Sequence, residues 1–217
     1  WFGIGGRADA LIRPRTEEAL AALFARCASS GAPMRVLGKG ANLLVDDGGV
    51  DGIVVRLDHE AFTRLRFNAH GQVDRVLAMA GADLFASVQE FIRQGLAGFT
   101  QMAGIPGTIG GAVRMNAGGI HGCIGDCIES VTCLDDRGER LVYERSQLEF
   151  AYRHCNLPDQ LVLSAVLKLE PEDPVQLRSR VKDIIAAKKA SQPMADQSAG
   201  CVFRNPMVNG ERVSAGR

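Results

Sequence analysis

The chain has 217 residues, 46% of them hydrophobic, enough to bury a real core in one large domain or two small ones. Lysine plus arginine and aspartate plus glutamate both total 25, with no long block of like charge, which excludes nucleic-acid binding driven by a net field and points to small-molecule partners. No apolar run approaches the roughly 20 residues that span a bilayer, and the N-terminus has no charged region followed by an apolar one, so no membrane contact is expected and the chain reads as cytoplasmic.

In chain order, Ala8–Ile12 (ADALI) reads as a short strand. Thr16 then caps a helix whose Leu20, Leu23, Phe24 and Cys27 recur at i, i+3, i+4 and i+7, and Gly31 closes it. Met34–Leu37 is a second strand, GKGAN a turn, Leu43–Val45 an apolar run, DDGG another turn and Gly52–Leu57 a third strand, together a compact unit containing βαβ. A second, α+β unit opens with a strand near Arg75–Ala80. Its helix is capped by Asp83, carries Leu84, Val88, Phe91 and Ile92 on one face, and ends at Gly95.

Ile128–Leu134 and Glu139–Tyr143 flank the turn DDRG as a hairpin, and Gln160–Leu169 alternates apolar and mixed faces as a half-buried strand does. Pro171 and Pro174 open a segment in which Leu177, Val181, Ile184 and Ile185 fit a helix, and a new subdomain is expected to begin there.

The six cysteines are scattered and no secretory signal accompanies them, so reduced thiols are expected. His121, Cys123 and Cys127 form a C-x3-C cluster without a second pair, and no metal is read.

Residues 103–119, AGIPGTIGGAVRMNAGG, hold six glycines, and GKGAN lies about 65 residues earlier. Two such segments beside strands suggest one shared ligand, because successive backbone N–H groups form anion-binding nests that side chains would obstruct. GKGANL departs from the Rossmann pattern at Leu43, and Gly40 lacks the Lys-Ser/Thr of a P-loop, so neither common nucleotide fold fits.

VLGKGANLLV, AGADL, GLAGFTQMAGIPGTIGGAVRMNAGG, FAYRHC, SAGCVFRNP and VSAGR follow one another in this order. In that arrangement the chain resembles the MurB family, the UDP-N-acetylenolpyruvoylglucosamine reductases of peptidoglycan synthesis, over essentially its whole length. YRHC and the compact spacing before SAGCVFRNP resemble the shorter type II enzymes. The resemblance implies an α+β FAD-binding fold of the vanillyl-alcohol-oxidase (PCMH-type) class in two subdomains, residues 1–58 and 59–170, with a linker helix and the start of a substrate-binding domain over 171–217. It also implies FAD as cofactor, NADPH as co-substrate, UDP-N-acetylglucosamine enolpyruvate as substrate, and a monomer.

By the same resemblance, FAD is held by Gly38, Lys39, Gly40, Ala41 and Asn42 in the first loop. In the second the holders are Gly104, Ile105, Pro106, Gly107, Thr108, Gly110, Gly111, Asn116, Ala117 and Gly118, with backbone amides reaching the pyrophosphate and ribityl chain. The family reaction delivers hydride from reduced flavin to the vinyl carbon distal to the ether oxygen, so negative charge develops towards the carboxylate. Arg153 in YRHC is matched to that carboxylate, as a fixed fork of positive charge. Cys201 stands where most of the family carry serine as proton donor, and its reference pKa of about 8.5 eases proton release.

Tyr152 supports the site, Arg204 and Asn205 look like a substrate-side polar pair, with Arg204 where lysine is commoner, and His154 is a neighbour. Three departures are visible: the chain starts inside the family's FAD segment, it stops at VSAGR before a C-terminal catalytic glutamate, and Ile120 stands where many relatives carry an aromatic. The chain is thus either a partial chain or a weakened enzyme. The competing readings are another oxidoreductase on the same FAD fold and a flavin-binding module without turnover.

Overall fold

The structure, a computed structural model, describes residues 3–158, 160–191 and 203–215. The alternation of ADALI is realised as β1 (Ala8–Ile12), whose second and fourth side chains are exposed. Helix α1 (Glu17–Ser30) starts where Thr16 Oγ1 accepts the Ala19 N–H at 3.2 Å and stops at Gly31, which is left-handed with φ 68°. It buries Leu20 and Cys27 and returns the chain to β2 (Met34–Val36). β3 (Val50–Val55) enters between the two, giving a three-stranded parallel sheet in the order β1-β3-β2.

A short helix α2 (Glu60–Thr63) leads to β4 (Leu65–Phe67) and β5 (Arg75–Met79). Helix α3 (Leu84–Arg93) begins where Asp83 Oδ1 accepts the Ala86 N–H at 2.7 Å, and Leu84, Val88, Phe91 and Ile92 are buried on the face that the periodicity indicates. Phe91 meets Phe99 edge to face at 5.1 Å and Phe67 at 6.1 Å, a preferred aromatic geometry. β6 (Leu96–Ala97) follows.

The glycine stretch, read as a loop from the sequence, contains helix α4 (Ile109–Arg114). Thr108 caps it, and Ile109, Ala112 and Val113 at i, i+3 and i+4 are buried. After the small hairpin β7 (Gly118–Gly119) and β8 (Gly122–Cys123) come β9 (Ile128–Leu134) and β10 (Arg140–Glu144), where the DDRG turn was expected. Asp135 Oδ1 holds that turn by accepting the N–H of Arg137 at 2.9 Å and of Glu139 at 2.8 Å.

β11 (Phe150–Ala151) and β12 (His154–Cys155) form a tight hairpin, and β13 (Leu161–Lys168) crosses the molecule. The second sheet is antiparallel throughout, in the order β10-β9-β13-β5-β4.

β13 corrects the sequence expectation of a half-buried strand. It lies in the middle of five strands with α4 packed against it, so every residue from Leu161 to Leu167, Ser164 included, is buried, and only Lys168 is exposed. β14 (Glu170–Pro171) pairs with β6, and helix α5 (Pro174–Ser191) sets Leu177, Val181 and Ile184 into the same core that receives α3. β15 (Met207–Val208) and β16 (Glu211–Arg212) form a last hairpin reversed at Asn209–Gly210. Among the described residues no helix is long and apolar enough to cross a membrane.

Candidate functional site

β2 and β3 run parallel, so their carboxyl ends open on one side, the usual place for a ligand beside parallel strands. From β2 the chain leaves through Leu37 into Gly38 and Lys39, and from β3 through Arg56, Leu57 and Asp58. The second sheet supplies Ala80 and Gly81 after β5, Thr108, Gly110, Gly111 and Arg114 around α4, and Gln160, Leu161 and Val162 at the start of β13. Together these residues line a cavity of about 410 Å³, within the range of small-molecule sites.

The two glycine segments meet at its edge. A Cβ on Gly38 would stand 2.8 Å from Thr108 Oγ1, a side chain that can shift, whereas one on Gly110 would stand 2.8 Å from the Ala80 Cβ and 3.2 Å from its carbonyl oxygen, so Gly110 has no room for a side chain.

Their backbone groups are used differently. Among the described residues, the amides of Gly38, Lys39, Gly40, Ala41 and Asn42 donate no intramolecular hydrogen bond, nor do those of Gly107 and Thr108. In α4, by contrast, Ile109 N–H donates to Ala82 O at 2.9 Å, Gly110 N–H to Ala80 O at 2.8 Å and Gly111 N–H to Thr108 Oγ1 at 3.4 Å. The expectation that the Gly110 and Gly111 amides reach a ligand is corrected in this respect. Those N–H groups start a helix, and what Gly110 contributes is the absence of a Cβ.

The lining carries the cations Arg35, Lys39, Arg56 and Arg114 and one carboxylate, Asp58; Lys39 and Arg56 are ion-paired and Arg114 is engaged by the chain itself. Lys39 pairs with Asp83, the residue that caps α3, and so ties the first loop to the second sheet's helix. Asp58 Oδ2 lies 3.4 Å from Arg56 Nε and 3.5 Å from Arg13 Nε. Arg114 donates to the carbonyls of Leu157 at 2.9 Å and Gln160 at 2.7 Å, fixing the turn that forms one wall. Sequence reasoning missed Arg56, Asp58, Gly81, Arg114 and Gln160. For Arg56 and Asp58 a signal existed, since both follow the carboxyl end of a parallel strand.

Gly40, Ala41, Asn42 and Gly104–Gly107 lie outside the lining, on the chain running into or out of it. Asn116, Ala117 and Gly118 are brought elsewhere, to Arg153. Asn116 is buried; its Oδ1 accepts the Gly125 N–H at 3.1 Å and its Nδ2 donates to Ala151 O at 2.9 Å, which fastens the β11–β12 hairpin to the β7–β8 region.

Tyr152 and Arg153 form the tip of that hairpin, with Arg153 left-handed at φ 57°, a costly conformation for a side chain of this size. Arg153 Nη1 donates to Gly118 O at 3.1 Å, and its guanidinium lies 5.3 Å from the Tyr152 ring centroid. Asn205 N–H donates to Tyr152 Oη at 3.3 Å, while Asn205 Oδ1 accepts the Ala215 N–H at 3.1 Å. Arg204 and His154 are exposed. Cys201 lies outside the described residues.

All five described cysteines are free. Cys123 Sγ donates to Asp126 Oδ1 at 3.2 Å, and burial with that carboxylate pushes its thiol pKa up. Cys127 Sγ donates to Ile124 O at 3.2 Å and burial pushes it up as well, while burial raises the Cys133 thiol to about 11.

Residues 8–143 match the family described as FAD binding domain. The chain is 38% identical to the UDP-N-acetylenolpyruvoylglucosamine reductase of Syntrophobacter fumaroxidans over 95% of its own length and 60% of that protein. To the reductase of the same name from Moorella thermoacetica it is 39% identical over 94% and 66%. It thus spans between 60% and 66% of the length of these two curated relatives.

Among solved structures, UDP-N-acetylenolpyruvylglucosamine reductase (MurB) from Thermus caldophilus superposes with a TM-score of 0.81 at 38% identity, covering 94% of this chain and 71% of that one. A cholesterol oxidase from Brevibacterium sterolicum superposes with a TM-score of 0.57 at 20% identity over 74% and 34%, a likeness of fold alone. The fold is therefore the α+β FAD-binding fold shared with that reductase and that oxidase. FAD fits the residues around the cavity: the open amides at 38–42 suit its pyrophosphate, and Phe24, Met34, Leu57 and Val162 offer an apolar wall to a flat ring.

Proposed function

The chain belongs to the UDP-N-acetylenolpyruvoylglucosamine reductase family, and on that premise we propose that it takes part in the NADPH-dependent, FAD-mediated reduction of UDP-N-acetylglucosamine enolpyruvate to UDP-N-acetylmuramate, a step of cell-wall peptidoglycan synthesis. Its setting in this reading is the cytoplasm, and its form a monomer. The observation that carries the reading is the row of open amides at 38–42, which enters the cavity at Gly38 and Lys39 beside Thr108, in a chain of this family.

When bound, FAD would supply hydride transfer from NADPH to the vinyl carbon distal to the ether oxygen. Residues 38–42 would hold its pyrophosphate through their N–H groups, and Lys39 would add a point charge. Arg153 grips the substrate carboxylate in a two-pronged contact and stabilises the charge that builds there as the hydride arrives. Its hydrogen bond to Gly118 O and its place over Tyr152 keep that fork in one orientation. The Cys201 thiol gives its proton to the carbon next to the carboxylate, which completes the saturated lactyl ether. Arg204 and Asn205 border the sugar-nucleotide.

The test is anaerobic. The flavin of the purified chain is reduced with NADPH, the enolpyruvyl substrate is added, and the visible spectrum is followed. Prompt return of the oxidised flavin spectrum is the expected result. A flavin that stays reduced removes the reductase reading for this chain and leaves a binding module, and oxygen consumption with a small alcohol in place of the substrate identifies an oxidase.

A further inference from the structure

Arg212, on strand β16, has no part in the reading above, yet it is held in place. It is exposed on a hairpin, but its guanidinium carbon lies 4.0 Å from the centroid of the Tyr152 ring, nearer than that of Arg153 at 5.3 Å. Three constraints set this position. Asn209 and Gly210, at φ 52° and 83°, make the reversal that pairs Arg212 with Met207. Val213 N–H donates to Pro206 O at 3.0 Å, and Arg212 Nη1 donates to Asn205 O at 2.9 Å. Asn205 is itself anchored to Tyr152 Oη through its N–H, so the hairpin and the Tyr152 turn are docked at a single ring.

Two guanidiniums over one ring lie within the salt screening length of about 10 Å at 0.1 M and repel each other. Some exposed arginines elsewhere are neutralised in pairs, Arg140 by Glu17 and Arg180 by Glu172. Among the described residues no carboxylate forms an ion pair with Arg153 or Arg212. The electron-rich face of the tyrosine offsets part of this repulsion. The rest awaits an anion, and the planar forks of both residues suit oxyanions.

We propose that Arg212 is a substrate-binding residue which, with Arg153 on the same tyrosine, forms a clamp for a ligand bearing two separate anionic groups, a carboxylate and a diphosphate. Arg153 is half-buried and rigidly turned, which suits the compact carboxylate. Arg212 stands in solvent, which suits the larger and better hydrated diphosphate. The allocation of groups rests on the reductase reading; the clamp itself does not.

The experiment titrates the FAD-loaded chain, whose cofactor cavity is filled, with inorganic pyrophosphate and with UDP-N-acetylglucosamine, by calorimetry, for wild type, Arg212→Gln, Arg212→Lys and Arg153→Gln. Circular dichroism and the flavin spectrum check that each variant is folded. Arg212→Gln is expected to weaken both ligands at least tenfold, Arg212→Lys to recover part of the loss by restoring the charge, and Arg153→Gln to weaken them less than threefold. Pyruvate as a carboxylate probe gives the reverse order. Unchanged affinity in Arg212→Gln, or no pyrophosphate binding by wild type, overturns the proposal. Arg212-dependent binding of pyrophosphate without binding of the sugar-nucleotide keeps the clamp and overturns the reductase reading. Binding of the sugar-nucleotide that ignores Arg212 does the opposite.

Discussion

Residues 38–42 and 104–111 are both glycine-rich and reach one cavity, the first through Gly38 and Lys39 and the second through Thr108, Gly110 and Gly111, yet their backbones do different things. In the first, five successive amides are open and the chain makes no helix. In the second, Thr108 starts α4, whose first amides are committed to Ala82, Ala80 and the cap. Glycine in the first loop exposes donors. At Gly110 it lets a helix lie against Ala80. Composition alone cannot separate these uses; a cap followed by apolar residues at i, i+3 and i+4 can.

If this division holds, substitutions at the two segments break different properties. Gly110→Val forces atoms into Ala80, and overpacking of this kind costs about 1–3 kcal/mol, so thermal unfolding should move down by several degrees. Gly38→Ala meets only the movable Thr108 side chain; its melting temperature should stay close to that of the apo wild type while flavin retention after gel filtration drops at least fivefold. An equal loss of stability in both variants would erase the distinction.

Lys39→Met removes the first loop's ammonium. FAD affinity, followed by flavin fluorescence, should fall three- to tenfold, with little change in stability because an exposed ion pair contributes at most about 1 kcal/mol. Asp83→Asn sharpens the same point, since it keeps a capping oxygen for α3 but releases Lys39 from its carboxylate. FAD should then bind two- to threefold more tightly, and weaker binding would mean that Asp83 positions Lys39 rather than competing for it.

A further effect concerns pH. The Cys133 thiol is raised by burial to about 11 in the folded protein, above its unfolded value near 8.5. Its contribution to stability is complete below the unfolded value and is lost as pH rises through the folded one. The melting temperature should therefore slope downward from about pH 9 to 11, and the slope should be shallower in Cys133→Ala, with differential scanning calorimetry as the measurement.

Much of the frame was legible because local chemistry and tertiary burial agree. Thr16 and Gly31 bound α1, and Asp83 caps α3 over the same apolar face that the spacing picks out. α4 was hidden because glycine lowers helix propensity and only packing on β13 restores it. β13 read as half-buried because a polar residue such as Ser164 does not reveal what will cover it. That the two glycine segments come together was legible from their shared character. The bond from Asn116 to Ala151, the Lys39–Asp83 pair and the stacking of Arg212 on Tyr152 join residues distant in sequence, and no local pattern announces them.

The central place of β13 also orders events at the ribosome. β5 emerges early, but one of its two neighbours is β13, and so is one of the neighbours of β9. At translation rates of about 5–20 residues per second, β13 follows β5 by roughly ten seconds. Throughout that interval the nascent chain displays the open edge of β5, joined in its last part by that of β9, beside apolar residues, a template for association with other chains. Nascent chains arrested before residue 161 are where chaperone dependence of this protein should concentrate.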